Sequence, residues 1–182
     1  FVSDAPWDDE NMLTKYRNLV NDDLGSPDGA LIFDESSFIK KGQDSIGVAR
    51  QYCGTVGKVD NCQVGVFAGY ASEHGYALID KRLFIPKKWF TDAYHERRKK
   101  CNLPDGTTLS TKPQLAVEML NAIVAEDTLP FKYVLTDSLY GISPEFIEAV
   151  EALAGKTYFV QVPKDTLCWL KRPLAITKHY VW

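Results

Sequence analysis

The 182 residues predict an α/β domain built on a mixed five-stranded sheet, strands 1–3 antiparallel and strands 4 and 5 parallel, flanked by helices. Three observations predict it. Three short strand runs come early, two of them joined by a turn short enough for a hairpin. Two later apolar runs alternate with helix-period segments, as in βαβ units. Apolar residues make up 45% and charged residues 25%, which suits a packed core and excludes a disordered or low-complexity chain.

Residues 7–20 read as a helix, because Asp8, Asp9 and Glu10 favour its first turn and Met12, Leu13, Tyr16, Leu19 and Val20 recur at helical spacing. Turn residues fill 21–29. Ala30–Phe33 is a buried-strand run that ends at Asp34-Glu35-Ser36. The polar, Gly-rich stretch 40–59 reads as an extended loop or hairpin. Residues 63–70 and 76–83 are two strands joined by the turn 71–75. Trp89–Lys100 predicts one helix with Trp89, Phe90, Ala93 and Tyr94 on a face. Thr111-Lys112-Pro113-Gln114 is a capping box with Pro in the first turn, so a helix starts there and runs to about Glu126. Tyr133–Thr136 is the fourth strand and is followed by Asp137. Ser143-Pro144-Glu145 opens a helix that Gly155 stops, and 157–162 is the fifth strand.

Charge is unevenly distributed. Residues 1–35 carry net −7, 36–100 net +6 and 101–182 net −2. A polyanion would feel the middle segment far more than the overall −3 suggests. Within it, Arg97–Lys100 also suits the solvated end of a helix. No apolar run approaches the roughly 20 residues of a membrane helix, and Phe1 opens an aromatic and acidic segment unlike a signal peptide. The cysteines at 53, 62, 101 and 168 form no C-x-x-C pair, so they read as buried free thiols rather than zinc ligands. The chain lacks an initial Met and stops at Val181-Trp182, and so reads as a fragment of something longer.

Asp34 and Asp137 each follow an apolar four-residue run. A carboxylate at the mouth of a buried strand is expensive to desolvate unless it is hydrogen-bonded, paired or bound to a cation. Strand ends are also where α/β sheets bind ligands. Two such acids brought together would repel, and a hard divalent ion such as Mg²⁺ or Mn²⁺ relieves that repulsion. Either Asp could equally begin a loop or cap a turn, as Asp137 could with Ser138 and Gly141.

Leu31-Ile32-Phe33-Asp34-Glu35-Ser36, Lys40-Lys41-Gly42 and Ser45–Tyr52 resemble the first catalytic-Asp region of bacterial insertion-sequence transposases. Those belong to the DDE superfamily and have an RNase H-like core. Gly57-Lys58, Asn61–Val64 and Leu135-Thr136-Asp137-Ser138-Leu139-Tyr140-Gly141 extend the resemblance, and Phe1–Asp8 looks like the end of a preceding helical region. The resemblance implies an N-terminal helical end and linker at 1–29, an RNase H-like catalytic core at 30–163, and the start of a β insertion at 164–182. It makes Asp34 and Asp137 catalytic, metal-binding acids on neighbouring strands. The third acid, a Glu on a helix beyond the insertion, is absent: no Glu follows Glu151, and Glu145, Glu148 and Glu151 lie on the wrong helix.

The implied chemistry is cleavage and transfer of DNA strands. Two Mg²⁺ ions (Mn²⁺ as a substitute) about 4 Å apart would stabilise the attacking and leaving oxygens. Double-stranded DNA, both transposon ends and target, is the implied partner, with a homodimer in the synaptic complex and a cytoplasmic, nucleoid-associated location. Lys40, Lys41, Arg50 and Lys58 are the candidate phosphate contacts, which predicts affinity that falls with salt. Gln51 and Tyr52 receive no role. Glu35 is left off the metal list, because neighbours on a strand point to opposite faces. Without the third acid, this stretch alone is expected to be inactive. Two other readings stand beside this one: another metal-dependent RNase H-like nuclease, and a non-catalytic DNA-binding or assembly module derived from a transposase.

Overall fold

A computed structural model describes residues 8–167 and Lys171 of the chain. The opening stretch 1–7, Cys168 and most of the segment expected to begin a β insertion lie outside the described residues.

The chain runs through α1 (Asp9–Leu24), β1 (Ala30–Ile39), β2 (Ala49–Cys53), β3 (Lys58–Ser72), β4 (Gly75–Phe84), α2 (His95–Lys100), α3 (Lys112–Glu126), β5 (Tyr133–Thr136), α4 (Ser138–Gly141), α5 (Pro144–Glu151) and β6 (Thr157–Val160). The strands form one mixed sheet in the order β2-β3-β1-β5-β6, with β4 also paired to β3. β3 pairs antiparallel with β1, β2 and β4, while β1, β5 and β6 run parallel. This is the arrangement of an RNase H-like fold.

Among the described residues the sheet has six strands, not five. The extra one, β2, lies in the stretch read as a loop or hairpin and pairs with the start of β3 from Ala49↔Cys62 to Cys53↔Lys58. Its polar composition hides it, because only Ala49 and Cys53 are buried. β1 also continues past Asp34 to Ile39, since β3 is 15 residues long and still supplies partners there, from Asp34↔Phe67 to Ile39↔Cys62. What does end at Phe33↔Thr136 is the parallel ladder to β5. The apolar run therefore marks where β1 has a strand on both sides.

The expected helix 89–100 is broken. Residues 87–90 and 92–94 form 3₁₀ turns, and only His95–Lys100 is α-helical. Thr91 leaves the helical region at φ −87°, ψ 162°. Buried Trp89 donates its indole N–H to the Val48 carbonyl (3.0 Å), and the Arg98 guanidinium holds the Trp89 and Thr91 carbonyls. These tertiary bonds override a continuous helix.

The other helix starts hold, although α1 runs on through 21–24, read as turn residues, to Leu24. Thr111 and Gln114 form the capping box reciprocally at α3, and Ser143 caps α5. Helices α1, α3, α4 and α5 pack on the face lined by Leu31, Phe33, Val66, Ala68 and Val134. The opposite face exposes Ile32, Leu78 and Phe159. Cys53 and Cys62 are buried free thiols; burial, with Cys53 beside it, pushes Cys62 up to about 11, so it stays an unreactive thiol.

Candidate active site

Parallel pairing of β1 with β5 decides where the two aspartates meet. Phe33 is opposite Thr136, so Asp34, still on β1, and Asp137, the residue just past β5 that caps α4, leave the end of that ladder side by side. Both line the same two grooves. One, of about 690 Å³, opens on the face away from the described core helices with Ile32, Leu135 and Phe159. The other, of about 360 Å³, adds Glu35, Tyr52 and Lys112.

Each aspartate is held by one oxygen. Asp34 Oδ1 accepts the Glu35 backbone N–H at 2.8 Å, and Asp137 Oδ1 accepts the Leu139 N–H at 2.9 Å as the N-cap of α4. The Asp34 carboxyl is raised above its ordinary 3.8, chiefly by desolvation in the groove. The Glu35 N–H opposes this, the charges of Glu35 and Asp137 add to it, and Lys112 partly offsets them. The site is a pair of hard oxygen donors whose negative charge is under-compensated. A divalent cation suits that donor set.

The stretch Asp137-Ser138-Leu139-Tyr140-Gly141 has a local logic. Asp137 starts the single turn of α4, whose ring Tyr140 is fully buried against Phe146. Gly141 passes so close to β6 that a Cβ there would stand 2.2 Å from the Gln161 carbonyl oxygen. Only Gly lets the turn sit down on the sheet.

Glu35 turns toward the helix layer, as strand alternation requires, and both of its oxygens are engaged. Oε1 accepts Lys112 Nζ at 2.7 Å and Oε2 accepts the Tyr140 hydroxyl at 2.9 Å. Burial first, and then Glu35, pushes the Tyr140 hydroxyl well above its ordinary value, so it remains a donor. Sequence reasoning missed Lys112. It was legible only as the first residue of α3, and nothing local reveals that this helix start faces β1.

The four candidate phosphate contacts are more dispersed. Lys40 and Lys41 follow β1, and the Lys40 carbonyl accepts the Asn61 side-chain amide at 2.6 Å. Arg50 is exposed on β2; Lys58 opens β3 and stands 3.7 Å from Asp60. None of the four lines either groove. The turn 54–56 after β2 does reach the acids' strand: Gly54 N–H donates to Ser37 Oγ (3.2 Å) and Thr55 Oγ1 to the Ser37 carbonyl (2.6 Å). Among the described residues, no group of three or more His, Cys, Asp or Glu is placed to hold a metal. None of the described helices is long and apolar enough to cross a membrane.

Residues 1–180 match the family model described as DDE superfamily endonuclease. The chain is also 32% identical over 187 residues to a protein of Microchaete diplosiphon described as a probable transposase for insertion sequence element IS701. That alignment covers 94% of this chain and 44% of the relative, so the chain spans less than half the relative's length. No solved structure matches it. With two aspartates at neighbouring positions of a mixed sheet and a family match over almost every residue, the chain belongs to the DDE superfamily endonucleases.

Proposed function

We propose that this chain is the catalytic core of a DNA transposase of the insertion-sequence type, and that Asp34 and Asp137 are the metal-holding acids of its DNA cleavage and strand-transfer site. The observation that carries this is the convergence of the two carboxylates, about a hundred residues apart in sequence, in grooves that they share.

The residues have separate tasks. Asp34 and Asp137 present oxygens to divalent ions, Mg²⁺ by preference for hard donors. Bound there, the ions supply charge stabilisation for an in-line displacement at phosphorus. The backbone N–H groups of Glu35 and Leu139 fix the carboxylates, so little reorganisation accompanies binding. Arg50, Lys58, Lys40 and Lys41 contact DNA phosphates away from the acids and set the strand's path. A third acid comes from outside the described residues.

The test is Asp137→Ala in the full-length protein. We expect Mg²⁺-dependent cleavage of a transposon-end duplex to be abolished while circular dichroism stays that of the folded protein. Undiminished cleavage overturns the assignment. Joining of a pre-cleaved 3′ end to target DNA separates a transposase from a nuclease that only hydrolyses. Failure of the unaltered protein to cleave or join leaves the assembly-module reading.

A further inference from the structure

The third carboxylate beside the two aspartates has no assigned task. Glu35 adjoins Asp34 on β1, and its Oε2 accepts the hydroxyl of Tyr140, three residues after Asp137. Tyr140 is fully buried and packs edge-on against Phe146 (centroids 5.8 Å), itself edge-on to Phe33 (5.6 Å). The hydroxyl is therefore presented from a ring that cannot move freely. Lys112 Nζ occupies the other Glu35 oxygen at 2.7 Å and lies 5.6 Å from the Phe84 ring centre, which anchors it to β4 as well.

These contacts form a closed loop. β1 carries Asp34 and Glu35; α4 begins at Asp137 and carries Tyr140. The only covalent route between the two acids is about a hundred residues long. The parallel ladder stops at Phe33↔Thr136, one residue short of both acids. Past that point, among the described residues, the Glu35–Tyr140 hydrogen bond is the side-chain hydrogen bond that links the two elements. From this we infer that Glu35 is a positioning residue: through the Tyr140 hydroxyl it fixes the separation of Asp34 and Asp137, while Lys112 occupies its remaining oxygen and keeps it from the metal. Outer-shell hydrogen bonds of this kind are worth about 10- to 100-fold in metal affinity elsewhere.

The inference rests on the metal-binding reading of Asp34 and Asp137, and the experiment separates the two. Mn²⁺ alone is titrated into the full-length protein without DNA, and free Mn²⁺ is read by electron paramagnetic resonance. Circular dichroism checks the fold of each variant. Glu35→Ala should weaken Mn²⁺ binding by about tenfold or more. Glu35→Gln should lose much less, because its amide oxygen still accepts the Tyr140 hydroxyl. Tyr140→Phe, which keeps the buried ring, should match Glu35→Ala, and the double variant should be no weaker than either.

Equal loss in Glu35→Gln and Glu35→Ala would show that charge acts and not position, and would overturn the inference. So would unchanged binding in Glu35→Ala. If Tyr140→Phe fails to fold, the Glu35 pair still decides. Asp137→Ala is the reference: unchanged Mn²⁺ binding there overturns the metal site itself, whereas its loss, with Glu35→Ala unaffected, overturns only the positioning role.

Discussion

Replacing Arg17 with Met should cost the domain about 3 kcal/mol, the lower end of the range for breaking a buried ion pair. Arg17 is only 5% exposed, on α1. Its Nη2 holds Asp80 Oδ2 at 2.8 Å, its Nε donates to the Ile79 carbonyl at 3.2 Å, and its Nη1 pairs with Glu126 at the end of α3. One side chain thus joins the N-terminal helix, β4 and α3. Asp80 would be left partly compensated, because Arg82 Nη1 (2.5 Å) and the Lys81 N–H (2.7 Å) hold its Oδ1. Glu126 would fare worse. Its Oε1 is already buried without a partner among the described residues, and the substitution would strip its Oε2 as well. The partners left to Asp80, and the 16% exposure that lets the Glu126 side chain partly rehydrate, place the loss at about 3 rather than 5 kcal/mol. For a domain of this size it corresponds to a melting point about 6–12 °C lower. Equilibrium urea unfolding gives the free energy, with an unchanged slope as the sign that compactness is retained. Combining Arg17→Met with Glu126→Gln should recover part of the loss by removing the stranded charge. A change below about 1 kcal/mol for Arg17→Met would refute the reasoning, since it would mean that α1 contributes no buried network.

Two further outcomes concern the site. Gly141→Ala should destabilise by about 1–3 kcal/mol and abolish Mg²⁺-dependent cleavage, since α4 must lift to clear the Gln161 carbonyl and carries Asp137 with it; an unaltered urea midpoint would refute the close approach. Asp34→Asn should stabilise the metal-free protein near neutral pH. The folded carboxyl is raised above 3.8, so its contribution to stability is fully present below that pH and is lost as pH rises through the raised value. The gain over the unaltered protein should therefore grow from acid toward neutrality, and a pH-independent difference in urea midpoints would contradict it.

The sequence by itself determined the features that local chemistry controls. Thr111 with Gln114 and Ser143 with the Phe146 N–H close caps within four residues, so those helix starts were legible. The runs Ala30–Phe33 and Tyr133–Thr136 are apolar because strands flank them on both sides and helices cover one face, and Asp34 and Asp137 stood out at their ends. Only the tertiary structure decided the rest. β2 is a strand because β4 pairs with β3 only from Val64 onward and leaves that edge of β3 open at 58–62, not because its own residues demand one. The helix expected at 89–100 breaks because Val48 captures the Trp89 indole from 41 residues away. Glu35, Lys112 and Tyr140 come from three separate elements, and no spacing along the chain encodes their meeting. Short-range hydrogen bonds and apolar periodicity can be read from neighbours in sequence. A carboxylate's partners across about a hundred residues exist only once the sheet has set its register.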